Sequence, residues 1–209
     1  MLGNGLTPVN DVAAQEYMGT LSLNAGRKSE FGDKTQFHDF PRTHNAIGAL
    51  HEYAEYVLPK MAALTKDITR TQPQIHDVGR QFAERTNEVA QKVIDAAAAD
   101  ARDADAEADE IISSNFAADP SREGIQSEIR VWMRENGKTE GGLAKIREEM
   151  QRNAEVAAVL YHSPNFLLGI GEATRKNMVM DAVAIHLPKA ASLKVRSSQL
   201  SKLAASYPA

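Results

Sequence analysis

One apolar stripe with helical spacing dominates the pattern of hydrophobic and polar positions along this chain. Between Ile47 and Ile68 the apolar positions recur at intervals of three and four residues, which is the heptad pattern of a helix that buries a narrow seam against another helix. A helical pattern resumes after Pro73. The positions that we predict to form a helical association seam are Ile47, Leu50, Val57, Met61, Leu64, Ile68, Ile75, Val78, Phe82 and Val89.

The second part of this pattern predicts an unusually long helix. Residues 74–112 would span about 58 Å as a helix, whereas a compact globule of this chain length is only about 43 Å across. Such a helix must protrude, lie along another helix or be shared between chains. Pro59 favours a kink in the preceding helix because proline cannot donate the helical hydrogen bond, and Pro73 predicts a turn or a restart.

The segment before the stripe, residues 1–42, reads as an extended arm. Glycines interrupt any long periodic pattern, and only one short helix, over residues 11–18, is predicted. The scattered aromatic residues Phe31, Phe37 and Phe40 would fasten this arm either to the chain's own helices or to another subunit.

The segment after the long helix, residues 116–209, predicts a smaller helical bundle. Asp119 and Pro120 form a helix-start signal, and Asn136-Gly137 forms a stop signal. Further helices are predicted over residues 143–161, 172–187 and 189–206. No strand alternation is present, so the predicted fold class is all-α with three regions: an extended arm (1–42), long helices with a kink favoured at Pro59 (43–115) and a C-terminal bundle (116–209) that ends in a basic helix.

Charge is unevenly distributed although the net charge of this 209-residue chain is only −4. Residues 95–110 carry seven acidic side chains against Arg102 alone, on a helix rich in alanine. The last 28 residues contain no acidic side chain and carry a basic tail, defined as Lys189, Lys194, Arg196 and Lys202. This tail could pack locally, dock on an acidic protein surface, or bind an anionic membrane or nucleic acid. Head-to-tail contact with the acidic run of another copy is the economical hypothesis.

Candidate chemistry is sparse. His44, His51 and Glu55 share one side of the predicted helix, but H-E-x-x-E lacks the second histidine of the zinc-protease pattern. The acidic run 103–109 lacks the glycine and glutamate of a calcium loop, and Gly169-Ile-Gly171 lacks the third glycine and the βαβ context of a dinucleotide site. We therefore predict no catalytic, metal or cofactor site and no small-molecule substrate, with a His/Glu metalloenzyme as a remote third possibility.

Features that the sequence lacks narrow the range of settings in which we expect the protein to work. The chain has no cysteine, which excludes disulfides and thiolate chemistry. No basic, apolar leader begins the sequence and no stretch reaches the length of a transmembrane helix, so we expect a virion or cytoplasmic protein.

The glycine-dotted arm, the alanine-rich long helices and the lack of cysteine and of an active site resemble small structural proteins of tailed-phage particles. That resemblance implies a non-enzymatic, all-α structural subunit of a multi-copy particle, a homo-oligomer assembled through coiled-coil-like seams. The alternative is an accessory protein, such as a phage internal protein, that acts on membrane or nucleic acid through the basic tail.

Overall fold

The computed structural model describes residues 12–207, and within this range every regular element is helical. The all-α prediction is therefore confirmed for the described residues. The α-helices are α1 (Val12–Ser22), α2 (Asn24–Phe31), α3 (Pro41–Leu64), α4 (Gln72–Asn115), α5 (Glu123–Asn136), α6 (Gly142–Arg152), α7 (Ala154–His162), α8 (Asn165–Leu168), α9 (Glu172–His186) and α10 (Pro188–Ser206). Two short 3₁₀ helices, Lys34–Phe37 and Pro120–Arg122, complete the described elements.

Proline and capping residues set helix boundaries where the sequence predicts them. Pro41 begins α3, and Pro73 lies in the first turn of α4. The Asp119 carboxylate accepts a hydrogen bond from the Ser121 N–H at 2.9 Å, which is the geometry of a helix cap. Pro59 does not end α3, which continues to Leu64.

The segment predicted as an extended arm is helical where it is described. α1 and α2 occupy most of residues 12–31, while residues 1–11 lie outside the described residues. A Cβ atom on Gly26 would lie 2.0 Å from the Thr20 carbonyl oxygen, so glycine at this position allows α1 and α2 to approach closely. This corrects the expectation of an extended conformation, because Gly26 serves helix packing here.

The chain divides into two compact units. The first comprises Met1–Ala101 with Gln199–Ala209, and the second comprises Arg102–Ser198. These limits differ from the predicted divisions after residues 42 and 115. The reason is that α4 and α10 each carry one apolar stripe that supplies residues to two successive cores.

The core of the first unit joins α3, α4 and α10. Its buried members are Phe37, Ile47, Leu50, Val89, Val93, Ala97, Ala101 and Leu200. Phe31 and Phe40 are partly buried against the same cluster. Of the two expectations for the three aromatic residues, packing on the chain's own helices therefore accounts for their positions.

Alanine in the acidic run provides a buried face. Ala97, Ala101, Ala104 and Ala108 are all at most 5% exposed, and their spacing of three and four residues places them on one side of α4. Because alanine side chains are short, neighbouring elements can approach this side closely. This side of the helix thus contributes alanines to both cores, although residues 95–110 contain no large apolar side chain.

The core of the second unit is larger and more varied. Its fully buried large side chains include Phe116, Met133, Ile146, Met150, Leu160, Leu168 and Met178. Trp132 packs partly buried against this cluster, as expected for a core residue on an amphipathic helix. The single helix predicted over residues 143–161 is broken at Asn153, whose side chain accepts a hydrogen bond from the Glu155 N–H at 2.9 Å and caps α7.

A buried carboxylate from α4 caps the first turn of α3. Phe40, the residue before α3, offers no side-chain acceptor. Asp100, which is 4% exposed, accepts hydrogen bonds from the Thr43 N–H at 3.0 Å and from the Thr43 hydroxyl at 2.7 Å. The Arg42 Nε donates to the other carboxylate oxygen at 2.6 Å. The unpaired N–H groups of the α3 terminus thus find their acceptor on another helix.

We expect Asp100→Asn to destabilise the protein by about 2 kcal/mol, because the amide loses the charge and presents only one oxygen to a buried donor pair. Chemical unfolding followed by circular dichroism measures this change. Asp95→Asn, on the exposed side of the same helix, is the matched control and should stay within about 0.5 kcal/mol of the unchanged protein. Equal effects of the two substitutions would contradict the capping role.

Candidate assembly interface

The predicted seam residues fall into three environments. Ile47, Leu50 and Val89 belong to the core of the first unit, so their burial is explained within one chain. The other buried members are Val57, Leu64 and Ile75. Met61, Val78 and Phe82 are only partly buried, and Ile68 is 97% exposed. The seam is therefore closed at one end and open at the other.

The open end contains the non-helical turn that joins α3 to α4, residues 65–71, and this turn is held by side-chain hydrogen bonds. The Asp67 carboxylate accepts from the Thr69 N–H at 2.9 Å and from the Arg70 Nε at 3.0 Å. The hydrogen bonds from Thr69, with smaller contributions from Arg70, lower the pKa of Asp67. The Gln74 side chain accepts from the Thr71 N–H at 2.8 Å and so caps the start of α4. We call residues 60–83, which include this turn, the hairpin end.

Three surface recesses lie on the hairpin end. Their volumes are about 650, 490 and 470 Å³. The largest lies beside Met61, Pro73 and Ala83, and the smallest lies beside Val78 and Phe82. All of their walls come from residues 60–83, so no other described segment fills these recesses.

Charged groups beside the recesses are paired within α4. Arg80 donates to Asp77 at 2.9 Å and lies 3.4 Å from the Glu84 carboxylate. The hydrogen bond from Arg80 lowers the pKa of Asp77, and the same bond raises the pKa of Arg80. Because these charges are paired locally, the apolar side chains are the groups on this surface that lack a described packing partner.

The sequence pattern missed the polar part of this surface. Lys60, Gln72 and His76 line the recesses but carry no apolar signal. They lie close to seam positions in the sequence, so the heptad register could have identified them as the polar edge of the seam. Their grouping depends on the turn that brings α3 and α4 together, and a periodicity argument does not contain that turn.

The basic tail meets the acidic run inside the second unit. The Lys194 Nζ lies 2.7 Å from Asp105 and 2.6 Å from Asp109, and the Lys189 Nζ lies 2.7 Å from Glu107. Burial alone would lower the pKa of Lys194, but the hydrogen bonds to the two aspartates outweigh it and raise the pKa. The complementarity that suggested head-to-tail contact between copies is thus used within one chain.

The remaining tail cations differ in their surroundings. Arg196 is half-buried in α10, and Lys202 is exposed. Neither belongs to the ion pairs of Lys189 and Lys194 with the acidic run.

The histidines considered as metal ligands contact backbone carbonyl groups instead. His44 Nδ1 lies 3.0 Å from the Lys34 carbonyl oxygen, and His51 Nε2 lies 3.0 Å from the Gly32 carbonyl oxygen. Glu55 forms an ion pair with Arg27. Among the described residues, no three His, Asp or Glu side chains are grouped as a metal site would require.

Gly169 and Gly171 occupy a joint between helices. Gly169 has φ +66° and ends α8, and Gly171 precedes α9. A left-handed glycine directly after a helix is a common helix stop. This position accounts for the two glycines that resembled the start of a dinucleotide fingerprint.

Comparison with protein-family models, with curated proteins and with solved structures gave no match to this chain.

Within the described residues, no helix combines the length and apolar character that crossing a membrane requires.

We expect stability to fall between about pH 7 and pH 5 because of His51. Burial lowers the pKa of His51 in the folded protein, and the nearby cations Arg27 and Lys34 lower it further, while the hydrogen bond to Gly32 opposes the shift. The unfolded chain therefore takes up a proton first as the pH falls. In thermal unfolding across this range, His51→Gln should reduce the pH dependence, whereas substitution of the exposed His38 by Gln should not. An unchanged dependence in His51→Gln would refute the assignment.

We expect Lys194→Gln to destabilise the second unit by about 1 kcal/mol without changing the oligomeric state. Because the pKa of Lys194 is raised by folding, its stabilising contribution is fully present at neutral pH and is lost only in alkaline solution. Thermal unfolding and light scattering measure the two properties. Lys202→Gln is the control on the same helix, and a change in oligomeric state in Lys194→Gln alone would restore the head-to-tail hypothesis.

Proposed function

We propose that this chain is a non-enzymatic structural subunit that assembles with other copies through its hairpin end. The observation that supports this most directly is that Met61, Val78 and Phe82 line recesses that no other described segment fills, beside a turn in which Ile68 is 97% exposed. A multi-copy particle, such as a tailed-phage virion, is the setting in which such a subunit would work.

The geometry of two packed helices explains why a second copy suits this surface. Two helices bury only the stripes that face each other, and their flanks stay open until further helices cover them. Near Ile47 and Leu50 this cover comes from Phe37 and Leu200. At the hairpin end α1 borders one flank, beside Ala62 and Lys66. No described segment outside residues 60–83 covers the recesses beside Met61, Val78 and Phe82, and a second hairpin would supply two more helices there.

The expected strength of one such contact is moderate. Burial of one large apolar side chain stabilises an interface by about 1.5–3 kcal/mol. The freedom of motion that two chains lose on association costs about as much as the burial of several such side chains contributes. A single pair of hairpin ends would thus associate weakly. Repeated contacts in a particle would add through effective concentration, so a weak seam suits assembly of many copies.

The alternative function, action on membrane or nucleic acid through the basic tail, has less support. Lys189 and Lys194 already neutralise carboxylates of the acidic run. Binding to phosphates depends on several cations that can release counterions together. With two of the four tail cations so engaged, the hairpin end is the better-supported interaction surface.

The test is light scattering coupled to size-exclusion chromatography over a series of protein concentrations. We expect a mass above that of the monomer that rises with concentration. Ile68→Asp combined with Phe82→Asp should weaken association at least about 30-fold, since each change removes an apolar anchor and adds a charge. Leu50 and Leu64 are unsuitable test positions because both are buried within the chain itself.

Phe166→Asp combined with Val195→Asp is the matched control. These apolar residues are 79% and 58% exposed, but they lie in the second unit. The control should associate like the unchanged chain. A monomer at every concentration, or equal loss of association in the control, would exclude assembly through the hairpin end.

A further inference from the structure

A separate cavity of about 670 Å³ lies between α1 and α3 in the first unit. This volume is within the usual range of small-molecule sites. Ile68 and Phe82 do not line it, so an inference from this cavity does not rest on the proposed assembly.

Small side chains on both helices create the space. α1 presents Met18 and Gly19, and α3 presents Leu58, Pro59 and Ala62. A Cβ atom added to Gly19 would meet no other atom within 4 Å. The middle of the cavity is therefore apolar and unfilled.

A buried arginine lines the cavity beside Glu55. The Arg27 side chain is 6% exposed, donates to the carbonyl oxygens of Leu21 at 3.0 Å and Ser22 at 2.9 Å, and pairs with Glu55. Its Nε is buried without a hydrogen-bond partner among the described residues. Because this atom has almost no accessible surface, it lies behind the wall of the cavity and is not offered to a ligand there.

An exposed cation stands at the far end of the cavity. Lys66 lies in the turn that follows α3, eleven residues after Glu55. No ion pair joins Lys66 to another described residue, whereas Glu55 neutralises Arg27. The charge left over on the lining is therefore positive, and it is separated from Arg27 by the apolar middle.

We infer that this cavity binds an amphipathic monoanion: an apolar chain beside Met18, Leu58 and Pro59, with a carboxylate head at Lys66. The apolar middle favours the chain through burial, and the uncompensated ammonium favours an anionic head over a cationic one.

Isothermal titration calorimetry of the full chain tests this inference with dodecanoate as the probe. Dodecyltrimethylammonium, which has the same chain length and the opposite charge, is the second arm, and both are kept below micelle-forming concentrations. We expect saturable binding of one dodecanoate per chain and at least tenfold weaker binding of the cation. Lys66→Gln should weaken dodecanoate binding about fivefold.

Gly19→Leu is the decisive variant because it fills the cavity without a clash at Cβ. We expect it to weaken dodecanoate binding more than tenfold while the thermal midpoint stays equal or rises, since leucine is a better helix former than glycine. Gly124→Leu is the matched control: Gly124 lies in α5, and a Cβ atom there also meets nothing within 4 Å. It should bind dodecanoate like the unchanged chain.

Three results would overturn the inference. The first is the absence of saturable dodecanoate binding, the second is equal affinity for the two probes, and the third is binding by Gly19→Leu that matches the unchanged chain. Retained binding with loss of self-association in Ile68→Asp/Phe82→Asp would show that the cavity and the assembly surface are independent.

Discussion

The first unit depends on the capping of α3 by the buried carboxylate of Asp100. A helix N-terminus leaves N–H groups that require acceptors, and a buried carboxylate requires donors. Thr43 and Arg42 meet both needs at once, at distances of 2.6 to 3.0 Å. Because the three residues are fixed in place on two helices, the contact also fixes how α3 is aligned on α4. Ile47 and Leu50 then lie in the same cluster as Val89 and Val93.

The sequence was sufficient for the fold class and for most helix boundaries, because prolines and caps act locally. It failed where a local signal has two physical meanings. Gly26 reads as a helix breaker, yet it serves close contact between α1 and α2. Asn153 reads as an ordinary polar helix residue, yet its side chain caps α7. In each case the role of the residue depends on the backbone group that it meets in the folded chain, and residue type alone does not specify that group.

The candidate interface shows the same limit at the level of packing. Ile47 and Ile68 occupy equivalent positions in one heptad pattern, but the first is fully buried and the second is 97% exposed. The difference arises because α3 ends at Leu64, so Ile68 lies in the turn before α4, whereas Ile47 lies within α3 and packs in one cluster with Phe37 and Leu200. Periodicity identifies a surface that must be covered, and the cover itself comes from distant parts of the chain. Residues with identical sequence signals can therefore belong to a core or to an interface.

Charge complementarity between the acidic run and the basic tail raises a related question of partner choice. Opposite charges attract equally well within a chain and between chains, so composition does not decide between the two. Here the side chains of Lys194 and Asp105 meet across 89 residues of sequence. Once the second unit folds, the effective concentration of one group near the other far exceeds that of another copy in solution. The intramolecular pair therefore forms first, and the contact between copies that we propose depends instead on apolar surface that folding leaves uncovered at the hairpin end.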